Sequence, residues 1–147
     1  MSPEALFSLA NSAALLGWAA LCFSPLAPYS ALLLAGRVIP LALATLYTGL
    51  VLAFWSGAEG GFSTLPDVMA LFGQPEIALA GWAHYLAFDL FVGAWVARTA
   101  RSEGVPHYLT LPLLLLTFLF GPAGFLATQI LRASRAPFPV LQPKGQP

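Results

Sequence analysis

A histidine and an aspartate inside one apolar segment are the residues of this chain best suited to do chemistry. Residues 81–95 read GWAHYLAFDLFVGAW, which places His84 and Asp89 among apolar and aromatic neighbours. An ionised carboxylate at the centre of a membrane-spanning helix costs about 2.5–3.5 kcal/mol on insertion scales. A sequence that keeps Asp89 there is predicted to use it, and His84 is the second catalytic candidate.

The composition indicates a membrane protein. Of the 147 residues, 59% are hydrophobic and only 8% are charged, whereas soluble domains carry about 25% charged residues. The net charge is zero and no basic block is present, so nucleic acid is not an expected partner. With Cys22 as the only cysteine, no internal disulfide is possible and no cluster of cysteine and histidine predicts a zinc site. The sequence also contains no motif for a metal, nucleotide or flavin, so no cofactor is expected. From the composition we therefore expect an integral membrane protein.

Four windows are long enough to cross about 30 Å of hydrocarbon as helices. They cover residues 4–24, 30–55, 77–98 and 107–131. The predicted fold is therefore all-α, with four transmembrane helices in an up-down bundle within a single domain, residues 1–136. The proline-rich tail, residues 137–147, is expected to be disordered.

A short helix is predicted between the second and third spans. Its apolar residues have helical spacing, at Leu65, Val68, Met69 and Phe72. We interpret it as an interfacial helix, which either covers the bundle end or closes an entrance from the lipid.

Four spans place both chain ends on one side of the membrane. Lysine and arginine are then divided three against three, so the positive-inside rule leaves the orientation open.

The polar residues of the spans fall at two predicted depths in the membrane, judged by their distance from the midpoint of each span. At the first depth we expect Asn11, Tyr47, Thr48 and His84. Hydrogen bonds between helices are the expected role of Asn11 and the threonines.

Asp89 is predicted to lie at the second depth, near Thr45 and Thr117. Arg37 is expected either to pair with Asp89 or to extend towards the headgroups. His84 and Asp89 are about 140° apart around a regular helix, so they do not share a face unless a π-bulge intervenes. Tyr85, one turn before Asp89, shares its face.

Aromatic residues and a helix break complete the candidate site. Trp82 and Trp95 belong either to an interfacial aromatic belt or to a surface that stacks on a polyene. In the fourth span, Pro122 between Gly121 and Gly124 predicts a kink. That kink either lets helices pack closely or forms a dent for a flat apolar ligand.

These motifs resemble the abscisic-acid-deficient-four-like family. The resemblance covers residues 7–131 and includes NSAALLGW, GGFSTLPDVMALFGQP, GWAHYLAFDLFVGAW and RSEGVPHYLTLPLLLLTFLFGPAGF. Plant members of that family are plastid membrane proteins needed to make neoxanthin from violaxanthin. This short chain shows no transit peptide rich in serine and arginine, so we expect a bacterial member in the inner (plasma) membrane.

The resemblance implies an isomerisation of an epoxide to an allene without redox change, and therefore without metal, nucleotide or flavin. If this reaction carries over to the chain, our hypothesis is that Asp89 acts as the acid and His84 as the base, with Arg37 or Tyr85 tuning Asp89.

Two functions remain open besides that of an isoprenoid-modifying enzyme. One is a non-catalytic subunit that binds a carotenoid or lipid. The other is a small proton-coupled transporter. The expected partners are membrane lipid and a carotenoid or isoprenoid ligand. Assembly into a homo-oligomer is left open.

Overall fold

The structure is a computed structural model that describes residues 1–135, and its regular elements in that range are all helical. They are α1 (Pro3–Cys22), α2 (Pro28–Leu33), α3 (Ile39–Phe54), α4 (Leu65–Phe72), α5 (Pro75–Ser102) and α6 (His107–Arg135). Four stretches are long and apolar enough to span a membrane: α1, Pro28–Gly57, α5 and α6. The predicted all-helical membrane fold is confirmed, and the expected tail lies outside the described residues.

Prolines explain where several helices begin and where one widens. Pro3, Pro28 and Pro75 occupy first turns, where a missing backbone N–H leaves no helical hydrogen bond unmade. Pro40 lies inside the second span and cannot donate to the carbonyl of Gly36. The backbone there forms a π-helical turn, Leu34–Val38, which joins α2 to α3.

α5 is the central helix and packs against α1, α3 and α6. Small residues let its neighbours approach closely. A Cβ atom at Gly93 would lie 2.6 Å from the ring of Trp18, and one at Gly17 would lie 2.6 Å from a Leu90 methyl group. Close packing of backbones through small residues is the usual way in which membrane helices associate.

The interfacial helix α4 lies at the end of the bundle near the amino terminus. Thr64 Oγ1 accepts a hydrogen bond from the Asp67 N–H and caps the helix. Leu71 is buried, whereas Leu65 and Met69 are exposed. The helix is therefore anchored by one apolar residue and presents others outwards, as expected of a helix at a lipid interface.

α6 does not follow the straight course expected for a fourth span. Phe120 (φ −144°, ψ 39°) and Gly121 (φ 7°, ψ −76°) leave the helical region. Pro122 contributes to the break, because it cannot donate to the carbonyl of Phe118. The break lies at the middle of the 29-residue element.

The two halves of α6 fold back on each other. Gly124 lies directly against the backbone of Thr117, although residues seven apart in a straight helix are separated by about 10 Å. Arg132 Nε donates to Glu103 Oε1 over 2.6 Å, whereas a straight α6 would place Arg132 about 37 Å beyond His107. Residues 107–135 therefore form a re-entrant hairpin whose tip lies halfway along α5.

The hairpin changes the predicted positions of the chain ends and charges. Its second half returns to the end of the bundle that holds Glu103, so position 135 lies opposite the amino terminus. All five arginines of the described residues lie in the half of the bundle that contains Glu103, which we call the arginine end: Arg37, Arg98, Arg101, Arg132 and Arg135. The other half holds four acidic residues: Glu4, Glu59, Asp67 and Glu76. The expectations of termini on one side and of balanced arginines therefore do not hold for residues 1–135.

Candidate functional site

A cavity of about 320 Å³ lies between α1, α5 and α6. It exists because the hairpin of α6 turns back at mid-depth and leaves the groove between α1 and α5 uncovered beyond its tip. We call it the Asp89 cavity. It is lined by Asn11, Ala14, Leu15, Trp18, Trp82, Tyr85, Leu86, Asp89, Phe118 and Leu119.

Asp89 is the most unusual residue of this cavity. Its side chain is buried, with 9% of its surface exposed, and its Oδ2 atom has no hydrogen-bond partner within the described residues. The carboxyl group lies against the tip of the hairpin, because a Cβ atom at Gly121 would overlap it. Buried polar atoms are nearly always hydrogen-bonded, so an unpartnered one indicates a functional group or a missing ligand.

Of the two alternatives for Arg37, the ion pair with Asp89 is not formed. In the part of the chain that the structure describes, the only ion pair joins Arg132 to Glu103. Arg37 is exposed on the other side of α5, where it lines an apolar groove with Phe88 and Phe91.

A chain of contacts fixes one wall of the Asp89 cavity. The Trp82 indole N–H donates to Asn11 Oδ1 over 2.9 Å, which is a hydrogen bond between α5 and α1. The Trp82 ring stacks on Tyr85, with 5.2 Å between ring centroids and 23° between planes. The Tyr85 hydroxyl donates to the Leu119 carbonyl over 3.5 Å, at the hairpin tip. These contacts hold three polar side chains around the carboxyl group of Asp89.

Trp18 and Phe118 form the opposite wall, which the sequence did not reveal. Their rings meet edge to face at 5.4 Å, and Trp18 is 6% exposed instead of lying in an aromatic belt. Its position in the stripe Ala10, Ala14, Trp18, Leu21 was the available signal. Both rings also line an apolar groove of about 280 Å³ that continues between α1 and α6 towards the arginine end.

His84 lies outside this cavity. Its ring stacks on Phe88 at 4.5 Å and approaches Tyr47 at 5.5 Å, and its side chain is exposed on the bundle surface. α5 runs from Pro75 to Ser102 without a π-bulge, so His84 and Asp89 remain on different faces. The structure thus brings together Asn11, Trp82, Tyr85 and Asp89, and separately Tyr47 and His84.

Thr117 and Trp95, which were also predicted site residues, make contacts within or against the hairpin. Thr117 Oγ1 donates to the Leu113 carbonyl over 2.7 Å, within its own helix. The Trp95 ring contacts Phe125 at 5.3 Å, and the Arg132 guanidinium lies 5.9 Å from its centroid. Thr45 and Thr48 likewise bond to carbonyls one turn earlier, so these threonines do not form the predicted bonds between helices.

Within residues 1–135, no three histidine, cysteine or acidic side chains are grouped closely enough to hold a metal ion. The chemistry that the site itself can offer is a carboxyl group, a phenol, an indole and a carboxamide at mid-depth in an apolar surrounding.

Comparison with known proteins identifies one family. The model of a family described as ABA DEFICIENT 4-like matches residues 5–127, which is most of the chain, and it confirms the resemblance seen in the motifs. Searches of the curated proteins and of the solved structures find no match.

Proposed function

Because the chain belongs to the ABA DEFICIENT 4-like family, we propose that it isomerises the end ring of a carotenoid or a related isoprenoid within the membrane. The observation that carries this proposal is the unpartnered carboxyl oxygen of Asp89, a buried residue that borders an apolar, aromatic cavity. A substrate oxygen held in the cavity beside Asp89 would give this carboxyl group the partner that the protein does not supply.

The shape of the site suits an elongated apolar molecule with an oxygen near one end. The Asp89 cavity, at about 320 Å³, is in the range of small-molecule sites and accommodates an end ring. The adjoining groove continues past Leu111 and Leu115 and accommodates a flat chain. Trp18 and Phe118 border both spaces and would contact the junction between ring and chain.

The reaction that fits these groups is the opening of a 5,6-epoxide to an allene. The Asp89 carboxyl O–H donates its proton to the epoxide oxygen while the bond from that oxygen to C6 breaks, and the oxygen stays on C5 as a hydroxyl group. The positive charge passes to C6, which is a tertiary carbon next to the polyene. Loss of the proton from C7 then supplies the electron pair for a C6=C7 double bond, which forms the allene with the existing C7=C8 bond, so the product is an isomer of the substrate.

The base in this reaction is best assigned to the Asp89 carboxylate that the first step leaves. His84 does not line the cavity, so it has no direct access to a molecule held there. A carboxylate that takes the C7 proton regenerates the acid in the same turnover. We therefore expect His84→Asn to retain product formation, in contrast to the hypothesis from the sequence that His84 is the base.

Non-catalytic binding is the second candidate function. It is favoured by the cavity lining, which contains a single carboxyl group and is otherwise mostly apolar. A binding subunit would hold the pigment in the same place without converting it.

Pigment chromatography separates these functions. The chain is expressed in a bacterial host engineered to make violaxanthin, beside Asp89→Asn and the matched carboxyl-to-amide control Asp67→Asn in α4. The proposal predicts an allenic product with the wild type and with Asp67→Asn, and none with Asp89→Asn at equal membrane level. An equal yield from Asp89→Asn contradicts the proposed role of Asp89.

Unchanged violaxanthin with a well-inserted wild type contradicts the isomerase. In that case, pigment that co-purifies with the protein in stoichiometric amount supports the binding function.

A further inference from the structure

A second, polar cleft of about 290 Å³ opens at the arginine end, away from the Asp89 cavity. It lies between the turn that follows α1 and the turn that joins α5 to α6. Its polar side chains are Ser24, Arg101, His107 and Thr110. It shares no lining residue with the Asp89 cavity.

The charge of this cleft is positive and uncompensated. Arg101 forms no ion pair within the described residues, and no acidic side chain lines the cleft. Glu103, the nearest acid in sequence, is engaged by Arg132 at 2.6 Å. An arginine without a carboxylate partner presents a fork of N–H donors that matches a phosphate group.

Contacts within the protein hold the walls of the cleft in place. The His107 Nε2–H donates to the Cys22 carbonyl over 2.8 Å and ties the start of α6 to the end of α1. Ser24 is buried, with 8% of its surface exposed, and lines the cleft beside this contact. A hydroxyl group and a guanidinium group therefore border one pre-formed space.

The depth and the other walls of the cleft indicate the source of the anion. α5 has 28 residues and is about 42 Å long, which exceeds the hydrocarbon thickness of about 30 Å. Its last turn, with Arg101, therefore lies at the level of the headgroups. Pro25, Leu32 and Val105 make the remaining wall apolar, which suits the glycerol and upper acyl region of a lipid.

We propose that this cleft binds the phosphate group of an anionic lipid headgroup, with Arg101 as the charged partner and Ser24 as a hydroxyl donor. The inference does not depend on the function proposed for the Asp89 cavity. Free inorganic phosphate offers the same group, so the experiment must separate the two sources.

Lipid retention by the purified full chain, measured by native mass spectrometry, tests the proposal. Phosphatidylglycerol and phosphatidylcholine are compared for the wild type, Arg101→Gln and the control Arg135→Gln, whose arginine is exposed and outside the cleft. The wild type and Arg135→Gln are expected to prefer phosphatidylglycerol, and Arg101→Gln is expected to lose about fivefold in that preference. Ser24→Ala is a second variant, expected to weaken it in the same direction.

Two results would overturn the proposal. One is an equal preference in Arg101→Gln and wild type, or an equal loss in Arg101→Gln and Arg135→Gln, which is what general surface charge would produce. The other is release of phosphatidylglycerol on addition of inorganic phosphate, because a lipid held also by its apolar part should resist the free anion.

Discussion

Replacing Gly124 by alanine is expected to destabilise the protein by forcing the re-entrant hairpin apart. A Cβ atom at this position would overlap Thr117 Oγ1 and lie 2.5 Å from the Thr117 backbone N and Cα atoms. Backbone atoms cannot rotate away as a side chain can, so the two halves of α6 must separate. Overpacking costs about 1–3 kcal/mol, and the better helix propensity of alanine returns about 0.5–1 kcal/mol. We expect a net loss of up to about 2.5 kcal/mol in the free energy of unfolding.

The free energy of unfolding in mixed micelles, followed by circular dichroism as denaturing detergent is added, measures this effect. Gly49→Ala is the matched control, because no atom outside its own helical backbone lies within 4 Å of the Cβ position at Gly49 in α3. That variant should be as stable as the wild type or slightly more stable. If Gly124→Ala is no less stable than Gly49→Ala, the close approach of residues 117 and 124 is refuted.

Three further results are expected. First, Arg135→Cys and Glu59→Cys are compared in a chain without its native cysteine. The cysteine at position 135 should be labelled from the cytoplasmic side and the one at position 59 from the opposite side, because arginines favour the cytoplasm. Labelling of both from one side would contradict the hairpin topology. Trp82→Phe should lower stability by about 0.6–1 kcal/mol in the same unfolding assay, since it removes the hydrogen bond to Asn11, and an unchanged stability would show that the bond contributes nothing. Leu71→Ala should cost about 2–5 kcal/mol if the burial of Leu71 anchors α4, and faster proteolysis of the α4 segment would report its release.

The sequence predicted the helices because their causes are local. Length, hydropathy and proline positions placed the four apolar segments within a few residues of their observed bounds. The apolar spacing of Leu65, Val68, Met69 and Phe72 likewise identified α4.

The course of α6 could not be predicted in the same way. Gly121, Pro122 and Gly124 indicated a kink, but a kink of any angle is compatible with those residues. The reversal depends on contacts between segments far apart in sequence, such as Arg132 with Glu103 and with the Trp95 ring.

Site assignment depended on the same distant contacts. Helical spacing correctly separated His84 from Asp89 and placed Tyr85 on the face of Asp89. Depth alone did not distinguish the two sides of α5, so Asn11 and His84 were expected in one layer although they contact different partners. The role of Trp18 required knowledge of the position of Phe118 in three dimensions.

The central claim is that α6 turns back within the membrane and brings its tip to Asp89. Disulfide crosslinking in a chain without its native cysteine tests it most directly, with one cysteine pair at positions 103 and 132 and another at positions 78 and 132. A straight α6 antiparallel to α5 would carry position 132 about 37 Å past His107, to the level of Ala78. The hairpin predicts rapid crosslinking of Glu103→Cys with Arg132→Cys and none of Ala78→Cys with Arg132→Cys. The reverse pattern would contradict the hairpin, and with it the Asp89 cavity.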